Sequence, residues 1–188
     1  GGIQIQNAGT IAGNLCNASP AADGVPPLLA LDARVELSSI NGCRELSLTN
    51  FITGPRQTEL AVDELLSAVL IPKTSAESVS SFLKIGSRKY LVISIVMVAV
   101  VLEPASDRTV RNLRISVGSC SAVACRLREL EAELQGCSFE DIARSPFADL
   151  FFAPLSPIDD VRSSARYRLD AAAEMVRRAI LFCTEALQ

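Results

Sequence analysis

The sequence contains no histidine. That removes the commonest general base, and with it the Ser-His-Asp and Cys-His arrangements for nucleophilic catalysis. It also removes a principal zinc ligand. The six cysteines, Cys16, Cys43, Cys120, Cys125, Cys137 and Cys183, nowhere form a C-x-x-C pair. Zinc and iron–sulfur sites draw on closely spaced thiolates and imidazoles, so no metal site is expected within the chain, and the thiols read as buried, reduced groups. Concentrated positive charge is missing too. The 18 Lys and Arg stand against 21 Asp and Glu, for a net charge of -3, and they are scattered along the chain. Nucleic acid is therefore not an expected partner. The longest apolar run, Tyr90 to Leu102, is broken only by Ser94. It is about half the length a bilayer-spanning helix requires, roughly 20 residues, so no membrane span is expected. No basic-then-apolar leader opens the sequence, which makes the cytoplasm the default location. With no acid–base or nucleophile constellation, no catalytic residue is assigned, and any chemistry must be carried by a cofactor.

What is present is enough apolar material for a substantial core, 49% of 188 residues, which predicts one or two compact units. Val25-Pro26-Pro27 opens a short helix ending near Asp32, because proline is tolerated in a first helical turn. Alternation in 34–38 and 44–48, around Ile40-Asn41-Gly42, predicts a hairpin. Residues 51–58 read as loop, and Glu64 to Ile71 as a strand before Pro72. Three further apolar segments, 79–85, 92–102 and 110–117, predict an antiparallel meander, and the Val- and Ile-rich middle one should be covered on both faces. Leu127, Leu130 and Leu134 predict a helix over 121–134, stopped by Gly136. Ser138 starts another helix towards Leu150. A last helix is expected over 164–187, with Leu169, Ala172, Met175, Val176, Ala179, Ile180 and Cys183 on one face. Strands followed by helices give an α+β class, and a Rossmann domain is disfavoured because no G-x-G-x-x-G follows a strand. A composition shift over 72–78 suggests two units, 1–75 and 76–188. The second is expected to hold an antiparallel sheet of about three strands with a helical bundle.

The stretch Thr10 to Asp23 is hard to explain as packing alone. Gly9, Thr10 and Gly13 lead into Asn14, so backbone amides can approach a ligand where a Cβ would block the way, and a short helix can start there. It reads as a phosphate-handling loop.

Three segments carry a resemblance. The first is Gln6 to Asn14, with Thr10-Ile11-Ala12-Gly13-Asn14, followed by Ala18-Ser19-Pro20-Ala21-Ala22-Asp23. The second is Asp63-Glu64-Leu65-Leu66 leading to Ile71-Pro72, then Phe82-Leu83-Lys84-Ile85-Gly86-Ser87-Arg88. The third is Asp160-Val161-Arg162-Ser163-Ser164-Ala165-Arg166-Tyr167-Arg168. In this order they resemble the FAD-binding (medium) subunit of the molybdenum hydroxylases, of the carbon monoxide dehydrogenase and xanthine dehydrogenase type. Their patterns are TIGGN with SPxxD, F-x-K-x-G-x-R, and D-x-R-x-S-A-x-Y-R. Ala12 stands where that family usually has glycine.

The resemblance implies that Thr10, Ile11, Ala12, Gly13 and Asn14 contact the FAD pyrophosphate. It puts Asp23 beside the cofactor as an acceptor, Leu66 along the ring system and Lys84 near the flavin. Simpler readings compete. Gly13-Asn14 as a tight turn with a cap, Asp23 as a cap of the Pro-Pro helix, and Lys84 as a solvated strand residue all remain open. Arg162, Tyr167 and Arg168 look structural, fixing the last helix against the sheet. The family's FAD lies between two subdomains, and the amino-terminal one brings a Gly-rich A-G-G-type loop; the expectation is that this chain starts after it, so that half of the cofactor site is absent. The resemblance also implies an electron-transfer role. Molybdopterin is held by a large partner subunit and iron–sulfur clusters by a small one, and electrons leave through FAD to an acceptor. The alternative is an assembly scaffold of the same complex that does not bind flavin.

Overall fold

The computed structural model describes residues 2–89, 91–144 and 147–187. Tyr90, the first residue of the longest apolar run, and Ser145 and Pro146, inside the helix expected from Ser138 towards Leu150, lie outside the described residues.

The amino-terminal half opens with two short helices, α1 (Ile3–Ala8) and α2 (Ile11–Cys16), and then α3 (Val25–Ala30), whose first turn holds the two prolines. The hairpin forms as read, with β1 (Arg34–Ser39) and β2 (Gly42–Ser47) in register from Arg34 opposite Ser47 to Ser39 opposite Gly42. Gly42 closes the turn at φ +130, a value that only glycine adopts without strain. The end of the second strand differs from expectation. Leu48 leaves the sheet to begin α4 (Leu48–Phe51), because the Ser47 hydroxyl accepts from the Asn50 N–H and caps a helical turn. The segment read as loop then forms a small hairpin, β3 (Ile52–Gly54) with β4 (Gln57–Thr58). Strand β5 (Leu65–Leu70) pairs antiparallel with β1, so β1 is central in the order β2-β1-β5. The inward residues Val35 and Leu37 meet Leu15, Val25, Leu28, Leu48 and Phe51 in one apolar cluster.

The second sheet has the order β6-β7-β8-β9, all antiparallel: β6 (Val79–Gly86), β7 (Ser94–Pro104), β8 (Val110–Gly118) and β9 (Cys125–Arg126). The expected meander is there, with a short fourth strand added. After it come α5 (Arg128–Leu134), α6 (Phe139–Arg144), a 3-10 turn (Asp149–Phe152) and the long α7 (Ala165–Glu185), capped by Ser164. The sheet-then-helices order of an α+β chain is thus realised. As the Val- and Ile-rich run predicts, β7 is covered twice. Val96, Val98, Val100 and Leu102 pack with Ala172, Met175, Val176, Ala179 and Ile180 of α7. Ala99 and Val101 pack on the other side against Ala30 at the end of α3.

The helix expected over 121–134 is shorter, and the reason is tertiary. Cys125 and Arg126 pair with Val117 and Ser116 as a strand. That brings the Arg126 guanidinium, 5% exposed, to Glu131, Asp32 and the Leu29 carbonyl. A buried charge needs partners, and in this extended conformation Arg126 reaches all three. The leucine spacing is real, but it governs only the last two turns. Among the described residues no helix is long and apolar enough to cross a membrane.

Candidate functional site

Thr10 is extended and caps α2, its hydroxyl accepting from the Gly13 N–H at 2.9 Å. A Cβ on Gly13 would sit 3.0 Å from that hydroxyl, so the tight cap favours glycine there. Gly13 and Asn14 are therefore helical residues rather than a tight turn. Asn14 Oδ1 accepts from the Gly24 N–H at 3.2 Å, which ties α2 to the loop ahead of α3. This leaves the Asn14 Nδ2 group as a donor. The amides of Ile11 and Ala12, at the start of a helix, have no acceptor one turn back. Thr10, Ile11 and Gly13 are exposed, and Ala12 and Asn14 are half-buried.

Asp23 does not cap α3. The N-cap of that helix is Gly24, with no side-chain cap bond. Asp23 Oδ1 accepts from the Ser94 hydroxyl at 2.8 Å, and its Oδ2 accepts from the Lys84 ammonium. Lys84 is accordingly an ion-pair partner on β6, with a side chain 26% exposed, rather than a freely solvated residue. Asp23 and Lys84 lie far apart in sequence and meet directly, while Asn14 reaches the residue next to Asp23. Leu66 stands apart from this polar chain. It is half-buried on β5 against the apolar cluster that includes Leu15, beside α2, and brings packing rather than a polar group.

The third segment joins the same region from the other side of β7. Asp160 receives Arg162 and Arg168, and Arg168 Nη1 donates to the carbonyls of Ile95 at 2.6 Å and Ser119 at 3.1 Å. Burial pushes the Asp160 carboxyl up, but hydrogen bonds from the Arg162 side chain and N–H, and from Arg168, outweigh it and hold the group well below the usual carboxylate range. Arg162 and Arg168 thus fix the start of α7 against the sheet. Tyr167 is half-exposed. Beside this cluster lies a cleft of about 540 Å³, bounded by Ser19, Pro20, Ile93, Ser119, Ile158 and Arg162 among others. None of the eight residues assigned from the sequence lines it. Thr10 to Asn14 lie in and at the start of α2, Asp23 and Lys84 pair with each other, and Leu66 packs on the apolar cluster.

Ser94 is the participant that sequence reasoning missed. It is fully buried and donates to Asp23. Its signal was present, as the one polar residue in the Tyr90–Leu102 run.

Two family models cover most of the chain. "FAD binding domain in molybdopterin dehydrogenase" matches residues 1–74, and "CO dehydrogenase flavoprotein C-terminal domain" matches residues 81–182. The chain belongs to the carbon monoxide dehydrogenase flavoprotein family. Within it, the nicotine 6-hydroxylase medium subunit of Paenarthrobacter nicotinovorans is 31% identical over 179 residues, covering 95% of this chain and 62% of that protein. The nicotinate dehydrogenase FAD-subunit of Eubacterium barkeri is 43% identical over 99 residues, 51% of this chain and 33% of the relative. A chain of carbon monoxide dehydrogenase from Hydrogenophaga pseudoflava superposes with a TM-score of 0.88 at 29% identity, over 98% of this chain and 63% of the other. The family's flavoproteins are thus longer than this chain, which spans less than two thirds of each of these relatives.

Proposed function

We propose that this chain is the flavin-holding part of an electron-transfer subunit in a molybdopterin-dependent hydroxylase or dehydrogenase. Its partners would be a large subunit with molybdopterin and a small one with iron–sulfur clusters, in the cytoplasm. Residues 1–75 would complete the FAD-binding unit, and 76–188 would form the unit behind it. The observation that carries the reading is a run of direct hydrogen bonds, from Asn14 of α2 to the Gly24 N–H and from Lys84 to the neighbouring Asp23.

The donor set fits FAD. A pyrophosphate needs several donors and no bulky neighbour. The first-turn amides of α2 and the Asn14 Nδ2 group supply donors, and Gly13 keeps the approach clear. Thr10 accepts from the Gly13 amide and so fixes the turn, while its O–H remains a donor. Asp23 offers an acceptor and Lys84 a cation, and each restrains the other. Leu66 contributes apolar surface. When bound, FAD supplies the redox chemistry that links iron–sulfur centres to an external acceptor, and the protein contributes binding, orientation and tuning. The scaffold reading is not favoured, because the matching family model is an FAD-binding domain and the relatives include an FAD-subunit.

The test is a titration of FAD, followed by quenching of its fluorescence, into this chain alone and into the chain preceded by the Gly-rich subdomain that the resemblance puts before it. Saturable quenching, tighter with the subdomain, is the expected result. FAD that stays fully fluorescent at excess protein in both forms would refute the proposal.

A further inference from the structure

Side chains alternate along a regular strand, so Ser94 would share the face of Val96, Val98 and Val100, which lies under α7. The register shifts here. Ile85 pairs with Val96 but Gly86 pairs with Ser94, which leaves Ile95 as an extra residue on β7. Ile95 and Val96, though consecutive, both enter the core under α7. Ser94 is thereby turned to the opposite face, that of Met97 and of its cross-strand partner Lys84. On that face it meets Asp23. A fully buried hydroxyl thus anchors one oxygen of a carboxylate whose side chain is 51% exposed, while Lys84 takes the other.

The bulge is held from both strands. The Ile95 carbonyl accepts from Arg168 Nη1 at 2.6 Å and the Ser94 carbonyl from Arg162 Nη1 at 3.4 Å, and both arginines are tied to Asp160. On β6, a Cβ at Gly86 would fall 2.3 Å from Val92 Cγ1, so glycine is required opposite the bulge.

We propose that Ser94 is a positioning residue of the flavin site. Clamped by Arg162 and Arg168 through the bulge, it fixes the Asp23 carboxylate through Oδ1, so that Oδ2 and the Lys84 it holds stay in place for the cofactor. The inference rests on the flavin reading above. A free Asp23 side chain would have to be ordered on binding, and the Ser94 hydrogen bond removes that loss beforehand.

The test uses the flavin-binding form of the protein, with Ser94→Ala, Ser94→Thr, Asp23→Asn and the double variant Ser94→Ala/Asp23→Asn. FAD dissociation constants and the flavin reduction midpoint are measured, with thermal unfolding as a check on folding. Ser94→Ala is expected to weaken FAD about tenfold, the loss of one hydrogen bond to a charged group, and to shift the midpoint. Ser94→Thr, which keeps the hydroxyl, should restore most of both, and adding Ser94→Ala to Asp23→Asn should change little. Unchanged affinity and midpoint in Ser94→Ala, or effects that simply add in the double variant, would overturn the positioning role and leave the flavin reading standing. A parent protein that takes up no FAD overturns that reading itself.

Discussion

Arg168→Met tests whether the third sequence segment holds the fold together. The Arg168 side chain is 2% exposed and makes three contacts: Nη1 to the Ile95 and Ser119 carbonyls, and Nη2 to Asp160 Oδ1 at 2.8 Å. Methionine keeps the length and apolar stem and removes every donor. Breaking a buried ion pair from one side costs about 3–5 kcal/mol, and each orphaned carbonyl about 1 kcal/mol. Two effects pull the total down. Asp160 retains the Arg162 guanidinium and the N–H groups of Arg162 and Ser163, so its charge is not stranded. The desolvation of the guanidinium is also relieved. The expected net loss is about 3 kcal/mol, which at this chain length lowers Tm by roughly 6–12 °C. Urea unfolding of the two proteins reads the difference directly, with an unchanged slope showing that the unfolded states are comparable. Arg166→Met is the control. Arg166 is 85% exposed and pairs with Asp170 one turn on, an interaction of at most about 0.5 kcal/mol. A loss below about 1 kcal/mol in Arg168→Met, or one no larger than in the control, would refute the assignment of Arg168 as the anchor of α7.

Three further outcomes are expected. Asn14→Asp keeps the acceptor that holds the Gly24 N–H but replaces the donor amide with a negative charge, so FAD titration should show at least a tenfold weaker complex with little change in the unfolding midpoint; Asn14→Leu should damage both, because it also frees the loop ahead of α3. The Glu64 carboxyl, held at about 2 rather than its ordinary 4.5 by Arg44 and the Ala61 N–H, stabilises the fold above pH 4.5, and the gain is lost as pH falls towards 2. Glu64→Gln should therefore flatten the pH dependence of the urea midpoint in that window. Burial pushes the thiols of Cys120 and Cys183 up to about 12, in Cys120 against the pull of Arg168 and with a contribution from Cys125. Mass spectrometry after iodoacetamide treatment of the native protein should find the exposed Cys43 alkylated and these two untouched until the chain is unfolded.

Elements whose signal is local were legible. The Asn-Gly turn, the Val- and Ile-rich β7 and the apolar stripe of α7 each follow from one short stretch of sequence, and each lies where that stretch predicts. The misses share a cause. Arg126 sits in a segment with good helical spacing, yet it is extended because Asp32 and Glu131 need its charge. The β3–β4 hairpin is too short for any alternation to show. At the candidate site motif resemblance singles out the residues, but their mutual contacts were not legible. No local rule joins Asp23 to Lys84, or excludes the reading of Asp23 as a helix cap.

The bulge in β7 shows why the three segments are one object rather than three coincident motifs. A period-two reading of 94–102 assigns Ser94 to the α7 face, and one extra residue reverses that assignment. Such a reversal persists only if the displaced carbonyls find donors and the facing strand has room. The donors are Arg162 and Arg168 of the third segment. The room is Gly86 of the second, and the hydroxyl so redirected meets Asp23 of the first. Replacing any one of the three sets should therefore disturb the other two: Gly86→Ala, remote from the first segment in sequence, is expected to loosen Asp23 by forcing Val92 aside and shifting the register at Ser94. Hydrogen exchange of the Gly24 and Val25 amides, next to Asp23, should then rise in Gly86→Ala. Exchange unchanged there, in a variant that folds, would mean that the bulge and Asp23 are mechanically independent.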